Sequence, residues 1–212
     1  MMLNALIAAA AVSALLAIAV EWRERRHPSF YLLKPLTTLL ITGIALLAPT
    51  SSYQTLVVAA LLLSLAGDVC LMFEGNAWFM GGLGSFLLAH FIFVAAYLSG
   101  LQAVLPPWWA GLFLVYGMGF FLWLMPHTGT LKIPVMIYGG ALMAMAVTAS
   151  ARWVSLHDGP ALLALLGASV FVVSDSALAV RKFVGSYRYA QALILSTYWM
   201  GIGLIALSVH PA

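Results

Sequence analysis

Apolar stretches of helix length recur from one end of this 212-residue chain to the other. A helix needs roughly 18 or more such residues to cross a bilayer. In hydrocarbon every backbone N–H and C=O must find its partner inside the protein, so these stretches have to be helices. Composition agrees: 64% of residues are hydrophobic and 7% are charged, against about 25% charged in soluble domains. The chain reads as all-α, a polytopic membrane protein and a single integral membrane domain over 1–212.

Eight spans fit, approximately 3–20, 32–48, 53–73, 79–99, 107–125, 133–149, 160–180 and 189–209. Between them lie short turn-forming connections such as APTSS, LPP, PHTGT and HDGP. The first span has no positive residue before it and Arg23, Arg25 and Arg26 after it. That is the reverse of a secretory signal, so it reads as a retained helix. Lys132, Arg181, Lys182 and Arg188 also fall in odd-numbered connections, and only Arg152 falls in an even one. The imbalance places the odd connections in the cytoplasm and both termini outside, in what reads as a bacterial inner membrane. Trp22, Trp78, Trp108, Trp109 and Trp153 sit near span ends, as an aromatic belt does. The net charge of +3 is too small, and too tied to loops, for a nucleic-acid partner. The single cysteine, Cys70, excludes an internal disulfide. No ligand spacing for a metal is present and no cofactor is expected.

Two carboxylates break the apolar pattern: Asp68 in LLLSLAGDVCLMF and Asp175 in LGASVFVVSDSALAV. A carboxylate at the centre of a spanning helix costs roughly 2.5–3.5 kcal/mol on insertion scales, and persists where it faces a cavity or a partner. Gly67-Asp68-x-x-Leu71 in the third span matches Ser174-Asp175-x-x-Leu178 in the seventh, and Lys34-Pro35 finds an echo in Lys132-Ile133-Pro134. Helices four apart run in the same direction, so the pattern suggests a four-plus-four parallel repeat. At 1.5 Å per residue both aspartates lie roughly 8–9 Å inside the cytoplasmic boundary. Lys34, Tyr138, His90 and Tyr198 fall in the same membrane half, and the other half is almost purely apolar.

Each of these groups also has a plain structural reading. Lys34 can snorkel to the interface, His90 can bridge helices, and Tyr138 and Tyr198 can pack. Glu74 sits beside a loop, and Gly81, Gly82 and Gly84 permit close helix approach. Two carboxyls set close together share a proton, one acting as acid while the other, ionised, orients water or steadies a cation. Gly84-Ser85 lacks the setting of a hydrolase serine. Metal-free acid–base hydrolysis fits the inventory. A proton-coupled transporter is the alternative, since repeated bundles with buried acids serve that purpose. An intramembrane aspartyl protease would need glycine where this chain has Leu65.

The ordered segments KPLTT from Lys34, SLAGDVCLMF, GGLGSFLLAHFIFVAAY and GASVFVVSDSALAVRKF resemble the YhhN/TMEM86 family of lysoplasmalogenases. The resemblance covers nearly everything from the second span onward. It implies an eight-span enzyme that hydrolyses the vinyl ether bond of lysoplasmalogens, releasing a fatty aldehyde and glycerophosphocholine or glycerophosphoethanolamine. The partners it implies are an alkenyl lysophospholipid and membrane lipids. Lys34, Asp68, His90, Ser174 and Asp175 carry over, each within its matching motif. The expected catalytic residues are Asp68, Asp175 and His90; Lys34, Tyr138, Ser174 and Tyr198 are the expected substrate contacts. Lys34 is placed at the phosphate, and the apolar outer half is expected to hold the alkenyl chain. The last helix departs from the family pattern, with Trp199-Met200-Gly201-Ile202 after Tyr198 where a polar side chain is often found.

Overall fold

The computed structural model describes residues 1–21, 27–102 and 105–211, so Trp22, Arg23, Arg25 and Arg26 lie outside the described residues. The described residues form eight α-helices: α1 Met2–Glu21, α2 Phe30–Leu46, α3 Ser52–Cys70, α4 Asn76–Leu98, α5 Gly111–Leu124, α6 Lys132–Leu156, α7 Gly159–Ala179 and α8 Ala190–Leu207. Seven of them, counting the single turns that extend α5, α6 and α7, are long and apolar enough to cross a membrane. The exception is α2, 17 residues and the shortest apolar candidate. The chain is a polytopic helical membrane protein.

Local chemistry starts these helices where the sequence punctuates them. Ser51 Oγ accepts the Gln54 N–H at 3.1 Å, and Asp158 Oδ1 accepts the Ala161 N–H at 2.7 Å with Pro160 in the first turn. Each side chain satisfies a donor that the helix start leaves open. Two elements differ from expectation. α6 continues to Leu156, well past the expected 149, and the added turns carry Arg152. Its guanidinium donates to the Tyr97 and Ser99 carbonyls at 3.3 and 3.0 Å and lies 3.9 Å over the Tyr53 ring. A charge placed in a connection by the sequence is therefore a helical residue closing the end of α4. α7 widens into a π-turn, Val180–Val184, that carries Arg181 and Lys182.

Packing follows the repeat. α3 lies on α4 as α7 lies on α8, α2 on α3 as α6 on α7, α1 on α2 as α5 on α6, and α2 on α8 as α6 on α4. Adding four to each helix number carries this set onto itself, which supports the four-plus-four arrangement. The halves differ at their first helices. α1 also packs on α8, whereas α5 has no comparable seat on α4.

Small residues set the closest approaches. A Cβ on Gly167 would lie 2.7 Å from the Gly201 carbonyl oxygen, so α7 and α8 touch backbone to backbone. Gly82 is similarly close to Leu71, at 2.6 Å, but Gly84 has open space around it and makes no close approach, contrary to its sequence reading. Hydroxyl pairs tie further helices, Ser13 with Thr37 and Tyr53 with Ser208, both at 2.7 Å.

Candidate active site

Asp68 lies in the last turn of α3 and Asp175 close to the end of α7, so both carboxyls reach the same end of the bundle. Asp68 is 1% exposed and held on every side. Lys34 Nζ lies 3.2 Å from its Oδ1 and donates to its backbone oxygen, also at 3.2 Å. Thr38, one turn on from Lys34, donates to Oδ2 at 2.6 Å, and Tyr198 donates to the same oxygen at 2.8 Å. Trp199 Nε1 donates to Thr38 Oγ1 at 3.3 Å and so orients that hydroxyl. Burying a carboxylate is tolerable when it is paired and its lone pairs are filled. Asp68 meets both conditions.

Asp175 is held more lightly. The Tyr138 hydroxyl donates to its Oδ2, and His90 Nε2 stands 3.9 Å from that oxygen, beyond hydrogen-bond range. Among the described residues no lysine or arginine forms an ion pair with it, and its side chain keeps 10% exposure. His90 is fully buried, edge-on to Phe171 and Tyr138. The repeat explains the partner on the fourth helix of each half. The spacing from Asp68 to His90 matches, within one residue, that from Asp175 to Tyr198. Each half thus sends its fourth helix across to the other half's aspartate.

Both aspartates line one cavity of mixed polar and apolar lining with Lys34, Ser174, Arg181, Gln191 and Tyr198. It offers about 110 Å³ to water, where one molecule requires roughly 10–15 Å³. A second cavity of about 90 Å³, almost wholly apolar, lies between α4, α5, α6 and α7. The two share Leu71, Phe86, Asp175 and Leu178, so Asp175 stands in the wall between them. Among the described residues no three His, Cys, Asp or Glu side chains gather as a metal site.

The structure brings together all seven residues singled out in the sequence, and gives several of them partners that the sequence did not specify. Lys34 points inward to Asp68, 7% exposed, instead of reaching for the interface. Tyr138 and Tyr198 use their hydroxyls on the aspartates. Ser174 donates to the Ile194 carbonyl at 3.1 Å, tying α7 to α8. Sequence reasoning missed Thr38, although its place four residues after Lys34 puts it on the same helix face. It also missed Trp199 and the Arg181–Gln191 contact on the cavity wall, which no local pattern signals.

Fold and site together define a polytopic membrane protein with two buried carboxyls of unlike environment on one intramembrane cavity. The chain belongs to the YhhN family, whose model matches residues 29–209. It is 32% identical to a protein of Mycobacterium tuberculosis named lysoplasmalogenase, over 82% of this chain and 71% of that one. It is also 32% identical to human lysoplasmalogenase TMEM86B, over 84% of this chain and 74% of the relative. A membrane protein of Escherichia coli, YhhN, is 27% identical over 85% and 86% of the two chains. No solved structure matches the chain significantly.

Proposed function

We propose that this chain is a lysoplasmalogenase with Asp175 as general acid and Asp68 as a fixed anion. Its products are a fatty aldehyde and glycerophosphocholine or glycerophosphoethanolamine. The observation that carries these roles is the contrast between two carboxyls on one cavity. Asp68 is paired with a lysine and its oxygens are filled, whereas Asp175 has one hydroxyl donor and faces open space.

Vinyl ether hydrolysis begins with proton transfer to the outer alkenyl carbon, leaving an oxocarbenium ion. Asp175 supplies the proton. The negative charge of Asp68, held in place by Lys34, Thr38 and Tyr198, stabilises the cation without having to reorganise. Water then adds to the carbon beside the ether oxygen, and Asp175, now a carboxylate, takes its proton and is restored as the acid. The hemiacetal transfers its hydroxyl proton to the departing glycerol oxygen, giving the alcohol and the aldehyde. Paired carboxyls around an oxocarbenium-like species serve glycosidases in the same way. Tyr138 holds Asp175 in position, and the buried His90 ring packs edge-on against Tyr138. The basic residues at this end of the bundle favour a cavity that opens toward the cytoplasmic side of an inner membrane.

The test compares lysolipids with one headgroup and alkenyl, alkyl or acyl linkage, incubated with purified protein. Aldehyde should appear from the alkenyl lipid alone. Fatty acid from the acyl lipid, with no aldehyde from the alkenyl one, would remove the assignment.

A further inference from the structure

We infer that the apolar cleft between α4, α5, α6 and α7 seats the substrate's hydrocarbon chain, and that Gly117 and Met143 at its inner end set the chain length accepted. The inference rests on the vinyl ether reading above. A lysolipid is polar at one end and apolar at the other, with the scissile bond where the two meet. The two cavities have the same layout: the more polar one carrying Lys34, Arg181 and Gln191, an apolar one lined by groups such as Leu83, Phe120 and Leu142, and Asp175 between them. A chain in the cleft and a headgroup in the polar cavity bring the vinyl ether to Asp175. The chain then lies sideways between helices, not in the outer half of the bundle.

The far end of the cleft is closed by two residues. Met143 is five residues beyond Tyr138 on α6, about 7.5 Å further along the helix axis than the tyrosine bound to Asp175. A Cβ on Gly117 would come within 2.6 Å of Met143 Cγ, so the absent side chain on α5 and the methionine on α6 share the same space. The near side is open. The opening is toward α4, on which α5 lacks a seat, whereas the Tyr116 hydroxyl, donating to Ser176 at 2.8 Å, closes the α7 side. Tyr116 itself is 44% exposed, so the rim faces lipid and a chain can enter from the bilayer. The corresponding groove of the other half, between α1, α2 and α8, reaches neither carboxyl.

The experiment measures kcat/KM for alkenyl lysolipids from decenyl to octadecenyl with wild type, Gly117→Val and Met143→Ala. Gly117→Val should lower the octadecenyl rate relative to decenyl by roughly tenfold, the discrimination a small misfit gives in an apolar pocket. Met143→Ala should move the preference the other way. Unchanged profiles in variants that melt with wild type in detergent would overturn the inference. A lysolipid with a photoreactive diazirine at its chain end separates this outcome from failure of the catalytic reading. Labelling of α5 and α6 peptides supports the seat even if no aldehyde is released, and labelling confined to the groove of α1, α2 and α8 overturns it.

Discussion

Lys34 directs its charge into the protein, and that choice organises the first half of the site. Its ammonium is the one lysine or arginine charge paired with Asp68 among the described residues, 3.2 Å away, with both groups buried. Lys34→Met should therefore cost about 3–5 kcal/mol, because it strands a buried anion. Adding Asp68→Asn should recover most of that loss in detergent unfolding; a double variant as unstable as the single one would contradict the pairing. Thr38→Val removes one donor from Asp68 and leaves the Trp199 N–H unpartnered, a cost of about 1–3 kcal/mol. The same unfolding assay reads it. At this scale the two aspartates were legible in the sequence, since ionisable groups in apolar helices are rare. Lys34, Tyr138 and Tyr198 were singled out beside them, but which of these side chains meets which carboxyl was not legible. Tyr198 meets Asp68 across 130 residues, and only the folded bundle makes that contact.

Helix positions followed from hydropathy, but helix ends did not always do so. Arg152 reads as the mark of a connection because charge usually means water. Here the guanidinium finds carbonyls on α4, so α6 runs on past it. The backbone-on-backbone contact between α7 and α8 was also silent in sequence. Gly167 and Gly201 gain meaning only when α7 and α8 are laid together, their backbones nearly touching. Gly201→Leu should force these helices apart and cost more than the about 1–3 kcal/mol typical of overpacking, because the obstructing atoms are backbone. Thermal unfolding against Gly203→Leu, at a position with open space around it, measures the difference. Equal losses would contradict the account.

As a whole the molecule is two similar halves used for different work. The matched aspartate motifs and lysine–proline echoes made the repeat legible, and the packing carries it through the principal helix pairs, the seats of α1 on α8 and of α5 excepted. That exception opens the cleft beside Asp175, and no sequence signal announced it. Sidedness is testable because Cys70 is the single cysteine. With Cys70→Ser as background, Ser186→Cys should react with an impermeant thiol reagent only from the cytoplasm, and Gln102→Cys only from outside. The reverse pattern would turn the site to the other face of the membrane. The division of labour between the carboxyls is tested most directly by the kcat for aldehyde release from an alkenyl lysolipid by Asp175→Asn. It should fall by about 10²–10⁴, the range for a lost general acid, with KM nearly unchanged. An Asp175→Asn enzyme that turns over at the wild-type rate would contradict the mechanism.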